Sequence, residues 1–262
     1  MAEIFVNDSL KIMQDKNNKT MYKMEFNYPC PSLIRSLTKT HIIQGTITDD
    51  YTTLRFKALS VKSFPKFIEE QNKVRGSPHL SINLAAKMIS NLSAQLSHLI
   101  TKESQTIIGY APENIIVIND QTFAFLDSEL IAEIDPVGKE MATISCPFNV
   151  TDFFASPEIL KITELPSYVH YKTSYFSLGC LLLYALTGGS FALTGGSFAL
   201  TGGSFALTGG SFALTGGSFA LTGGDDFYNE YLNQLHFKNT KLYWLLSRCL
   251  VEDPGKRTIL FI

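Results

Sequence analysis

The stretch Tyr110-Ala-Pro-Glu-Asn-Ile-Ile-Val-Ile-Asn-Asp-Gln-Thr-Phe-Ala-Phe-Leu-Asp127 holds two apolar runs separated by the polar pair Asn119-Asp120. Short runs of β-branched and aromatic residues flanking an Asn-Asp pair predict a β-hairpin. That hairpin would set Asn114 just before its first strand and Asp127 just after its second, thirteen residues later. Two oxygen-bearing side chains at the same end of one hairpin are a candidate site. On the bland reading, Asn114 caps a turn and Asp127 ends a strand.

Working outward, residues 82–100 place Leu84, Ala85, Met88, Ile89, Leu92, Leu96 and Leu99 at helical spacing, which predicts a long amphipathic helix. A shorter helix is expected from Phe64-Pro65. The first sixty residues read as strands at 9–13, 21–26, 41–47 and 53–59, with one helix opened by Pro31. Beyond the hairpin, an irregular segment is expected to lead to Ser156-Pro-Glu. Helices follow at 175–186, 226–235 and 242–250.

Composition removes several classes. There are 22 basic and 24 acidic residues, a net charge of −2, which gives no electrostatic case for nucleic acid or an anionic membrane. The four cysteines and five histidines show no paired or metal-ligand spacing. Buried, reduced thiols in an intracellular, cytoplasmic protein are expected. The first residues lack the charged and apolar regions of a signal peptide.

A seven-residue unit, Ala-Leu-Thr-Gly-Gly-Ser-Phe, runs five times from Ala185 to Phe219, with a partial copy to Gly224. It supplies 12 of the 18 glycines, and removing the five full copies leaves 227 residues. No charged residue occurs from Thr173 to Gly224, yet glycines and hydroxyls hold the apolar runs of the repeat to three residues, and the helix before it, Leu178 to Leu186, is also too short. A membrane span needs about 20. No Gly-Lys-Ser/Thr follows, so this is not a phosphate loop. A loosely ordered insertion at about 185–224 is expected rather than a stacked repeat architecture.

The 110–127 stretch resembles the catalytic segment of the eukaryotic-type protein kinases. Further segments resemble that family in the same order: Thr151 to Ile159 with Ser156-Pro-Glu, the run from Tyr175-Phe-Ser-Leu-Gly, and Leu246-Ser-Arg-Cys-Leu-Val-Glu-Asp-Pro-Gly-Lys-Arg-Thr. The resemblance implies an α+β, two-lobed protein-kinase-like fold. It has a reduced β-rich small lobe (1–60) and a mostly helical large lobe (61–262), interrupted by the repeat. It also implies Mg and ATP as cofactors, Asn114 and Asp127 as metal ligands, and a structural ion pair between Glu158 and Arg257.

The departures from the family are chemical. The acid expected five residues before Asn114, which would take the proton from a substrate hydroxyl, is Gly109, and the lysine expected two residues on is Ala111. Ser128-Glu129 follows Asp127 where the family has Phe-Gly. No glycine precedes Gly45, so there is no glycine-rich loop over phosphates. The position of the nucleotide lysine reads Glu25. Lys23 is either a substitute or a plain strand lysine. No acid lies between Asn27 and Gln44 to pair with it.

The expectation is therefore a pseudokinase that binds a protein partner, with weak or absent nucleotide binding. The alternative is a divergent active kinase transferring the γ-phosphate of ATP to a protein hydroxyl. A third reading, a decaying gene product, fits the short small lobe and the end at Ile262.

Overall fold

In the computed structural model, the first strands of the chain join into one antiparallel sheet. The structure describes residues 2–7, 9–76, 79–138, 140–187, 232 and 237–259, and the backbone of four repeat segments, 190–193, 196–199, 205–206 and 219–220. The sheet is built from β1 (Ala2–Val6), β2 (Leu10–Gln14), β3 (Met21–Phe26), β4 (Gly45–Ile47) and β5 (Thr53–Lys57), in the order β1-β2-β3-β5-β4. Alternation decides its faces. Leu10, Ile12, Tyr22, Met24, Phe26, Leu54 and Phe56 are buried, whereas the intervening Lys11, Lys23, Glu25 and Arg55 stand on the opposite face. Between β3 and β4 lies α1 (Pro31–Lys39), which begins on a proline and buries Leu33, Ile34 and Leu37. Its Arg35 donates to both carboxylate oxygens of Glu103, at 2.8 and 2.5 Å.

β6 (Val61–Ser63) leads into α2 (Phe64–Arg75), which stops at Gly76 in left-handed backbone at φ 68°. α3 (Ile82–His98) starts on Ser81, whose Oγ accepts from the Leu84 N–H, and continues as a π-helical turn, Leu99–Glu103. β7 (Gln105–Ile107) follows, then the hairpin of β8 (Ile115–Ile118) and β9 (Thr122–Phe125). Asn119 and Asp120 both take positive φ, 52° and 58°, as a type I′ turn requires. The Asn119 side-chain oxygen also accepts from the Leu59 N–H at 2.6 Å. β6, β8 and β9 make a three-stranded sheet. Buried Gln95 of α3 ties the end of β9 to the helix. It accepts from the Phe125 N–H (3.0 Å) and donates to the Phe125 carbonyl (2.9 Å).

The expected two-lobed fold with a mostly helical large lobe is overturned here. After β9 come β10 (Ile131–Ile134), β11 (Met141–Ile144), α4 (Pro157–Leu160), β12 (Ser167–His170), α5 (Thr173–Thr187) and α6 (Lys241–Cys249). A four-stranded antiparallel sheet, β12-β11-β10-β7, occupies residues expected to be irregular or helical. The chain is α+β, with three antiparallel sheets spread along it and six α-helices among the described residues. The reason is tertiary. β10 and β11 are four residues each, both contain Ala and β10 also Glu, and they owe their strand form to pairing with β7, β12 and each other. α5 is buried nearly all round, and Phe176, Leu178, Leu181 and Leu182 have no exposure.

Of the thiols, Cys180 and Cys249 are buried as expected, but Cys146 is exposed. The expected helix at 226–235 lies outside the described residues except at Leu232. The expected loose order of the repeat likewise lies outside them, apart from the four segments above.

Candidate functional site

The hairpin brings Asn114 and Asp127 together. Asn114 closes a 3-10 turn, Pro112–Asn114, and its carbonyl accepts from the Leu126 N–H at 2.9 Å. Both residues line one open cavity of about 580 Å³. Glu113, Glu129 and Asp152 line it too, and no lysine or arginine is among its described lining residues. Asp127 Oδ1 accepts from the Glu129 N–H at 2.9 Å and from Ser9 Oγ at 3.5 Å, so a residue of the first sheet's β1–β2 connection forms part of the wall. Burial pushes the Asp127 carboxyl above the usual aspartate range, and the nearby Glu129 carboxylate adds to that. The backbone N–H bonds pull the other way.

Gly109 lies outside this lining, under an aromatic ring. A Cβ built there would stand 2.5 Å from Phe153 Cε2 and nearer still to Cδ2 and Cγ. Phe153 is 1% exposed and packs on Phe148 with centroids 5.8 Å apart. The neighbouring backbone is equally enclosed. The Tyr110 N–H donates to Ser177 Oγ at 2.6 Å, the Tyr110 carbonyl accepts from the Phe154 N–H at 2.9 Å, and Ala111 is buried. The space a side chain at position 109 would enter holds a packed phenyl ring.

Lys23 lies apart from the cavity. On the polar face of β3, its ammonium pairs with Glu25, two residues along the same strand, and Lys11 reaches the other Glu25 oxygen at 2.9 Å. These two hydrogen bonds hold the Glu25 carboxyl below the usual glutamate range. Glu158 and Arg257 do meet, 99 residues apart in sequence, in a two-pronged pair with Arg257 NH2 2.9 Å from Glu158 Oε2. Arg257 is fully buried. It also donates to the Val251 and Glu252 carbonyls and lies 5.0 Å from the centre of the Phe176 ring. Buried guanidinium needs this many acceptors, and here it has them.

The residues present do not fit a magnesium–nucleotide complex. Asn114 and Asp127 offer hard oxygen donors, but among the described residues no three His, Cys, Asp or Glu side chains gather to hold a metal ion. Polyphosphate entering this cavity would meet four carboxylates and no cationic side chain among the described lining. Sequence reasoning singled out Glu129 as an added charge but not Phe153, Ser9, Glu113 or Asp152. The Phe153-Phe154 pair ahead of Ala155-Ser156 is the local sign that this segment packs inward. Comparison with protein-family models gives no match, and comparison with curated proteins gives none either.

Proposed function

We propose that this chain is a protein-binding or regulatory module akin to a pseudokinase, keeping the metal-side residues of a protein kinase without phosphotransfer chemistry. The observation that carries the proposal is the phenyl ring of Phe153 packed over Gly109. Phosphoryl transfer to a hydroxyl needs a positioned proton acceptor, typically worth about 10²- to 10⁴-fold in rate. Neither a glycine nor a buried ring accepts a proton. The acidic cavity supports weak or absent binding of Mg and ATP, and Lys23 is engaged by Glu25. Kinship with the kinases is supported by the Glu158–Arg257 pair and by the cavity shared by Asn114 and Asp127.

The competing reading, a divergent active kinase, has that shared cavity in its favour. Radiolabelled ATP with magnesium and a generic protein substrate separates the two. No transfer and no thermal shift on titrating MgATP are expected. Transfer that disappears in Asp127→Ala would overturn the proposal. The binding half is tested by purifying the full chain from its source cells. A stoichiometric protein partner retained by both wild type and Asp127→Asn is expected, and a chain that purifies alone counts against it.

A further inference from the structure

Strand register defines the polar face of the first sheet. Pairing sets Lys23 of β3 between Met13 of β2 and Arg55 of β5, and places Lys57 beside Met21 and Lys11 beside Glu25. Glu3 of β1 stands beside Met13. Along β2, β3 and β5 these residues alternate with the buried ones, so they share the face opposite the core. Arg55, Lys57 and Glu3 are exposed, and the Lys11 side chain keeps 45% exposure. Four cations therefore stand on one surface with two carboxylates, in a chain whose net charge is −2. One of those carboxylates, Glu25, is shared by two ammoniums, Lys11 and Lys23. Lys23 and Arg55 lie directly opposite each other across the ladder, and like charges so placed destabilise a sheet. Neighbouring strands are about 4.8 Å apart, inside a Debye length of about 8 Å, so these charges act on a ligand together.

We propose that this face docks an acidic segment of a protein partner, whose carboxylates meet Lys23, Arg55 and Lys57 while its apolar side chains lie on Met13 and Met21. This rests on the protein-binding reading above and gives the partner a place and a chemistry. Bound carboxylates offset the Lys23–Arg55 repulsion, and unbranched methionine side chains adapt to apolar groups of varied shape. Nucleic acid suits the face less well. The aromatic rings of these strands, Tyr22, Phe26 and Phe56, are on the buried side where no base can stack, and Glu3 and Glu25 repel phosphate.

The test is fluorescence anisotropy of a labelled peptide of mixed glutamate and leucine, titrated with the full chain without nucleotide. Wild type should bind it, more weakly as NaCl rises to roughly 0.5 M. Arg55→Glu/Lys57→Glu reverses two exposed charges and should weaken binding at least about tenfold. Lys66→Glu/Lys161→Glu makes the same change of charge at exposed residues elsewhere and should bind as wild type does. Arg55→Gln/Lys57→Gln, which only neutralises, should fall between, and it keeps the test decisive if the reversal lowers the thermal unfolding midpoint. A wild type that does not bind the peptide, equal losses in the two reversal variants, or equally tight binding of an oligothymidylate overturns the proposal. Those results leave the loss of phosphotransfer standing, because the radiolabelled ATP assay decides that separately.

Discussion

Gly109→Ala adds a single methyl group, and the structure sets its cost. The new Cβ would lie 2.5 Å from Phe153 Cε2, where ordinary contact begins at 3.4 Å. The ring must therefore retreat by roughly an ångström or more, past Phe148 or toward the open cavity that both rings border, and give up its packing at 1% exposure. Overpacking of this kind costs about 1–3 kcal/mol, and the depth of the clash puts Gly109→Ala at the upper end. Phe153→Ala removes the ring and should cost about 3–5 kcal/mol by itself. In that background the alanine at 109 meets no ring, so its cost should fall close to zero. The two substitutions should then couple by about 2 kcal/mol in the relieving direction. Urea unfolding followed by far-UV circular dichroism on the four proteins of the cycle measures this. Gly109→Ala within about 0.5 kcal/mol of wild type, with additive effects in the double variant, would refute the packing reasoning. On the proposed reading, Gly109→Asp should confer no phosphotransfer in an ATP-transfer assay, because the acid arrives where the ring already sits.

Glu158→Gln leaves the Arg257 guanidinium buried without its counter-charge and should cost about 3–5 kcal/mol, read as a lowered urea midpoint. Arg257→Lys should not rescue the pair, since an ammonium cannot make the two-pronged contact and the two carbonyl bonds together. Asp127→Asn should raise stability at neutral pH. The folded carboxyl titrates above its ordinary value of 3.8, so the protonated form is favoured in the fold. Its stabilising contribution is complete below that value and is lost as pH rises through the folded value. Thermal melts at neutral pH and well below pH 3.8 should show the gain at the former and none at the latter. Gln95→Leu strips the partners from the Phe125 N–H and carbonyl, at about 1–3 kcal/mol for each buried group left unpaired. Hydrogen exchange at the Phe125 amide should accelerate with it.

Long periodic elements are legible in the amino-acid order alone. The apolar positions of α3, the proline-led α1 and the Asn119-Asp120 hairpin each carry their signal within a short window of consecutive residues. The chemistry of the departures is legible too, because Gly109 and Ala111 lack functional groups wherever they are placed. Elements whose form depends on distant partners are not legible. β10 pairs with β7 and β11 with β12, and neither Ile131–Ile134 nor Met141–Ile144 is long enough to show its alternation against background. That is why the segment between Asp127 and Ser156 reads as irregular, and why nothing local opposes the mostly helical large lobe that the kinase resemblance implies.

The amino-acid order by itself determined which groups exist to do chemistry: an Asn and an Asp flanking one hairpin, no acid five residues earlier, and an uncharged tract of identical units. Tertiary structure decided which of those groups share a space. It closed Gly109 under Phe153 and set Glu113, Glu129 and Asp152 in the lining of the cavity that Asp127 also lines. It paired Lys23 with its strand neighbour Glu25, and carried Arg257 across 99 residues to Glu158. The physical reason is range. Side-chain identity and short-period patterning are local properties of the chain, whereas burial, charge proximity and strand partnership arise only when distant segments pack against one another.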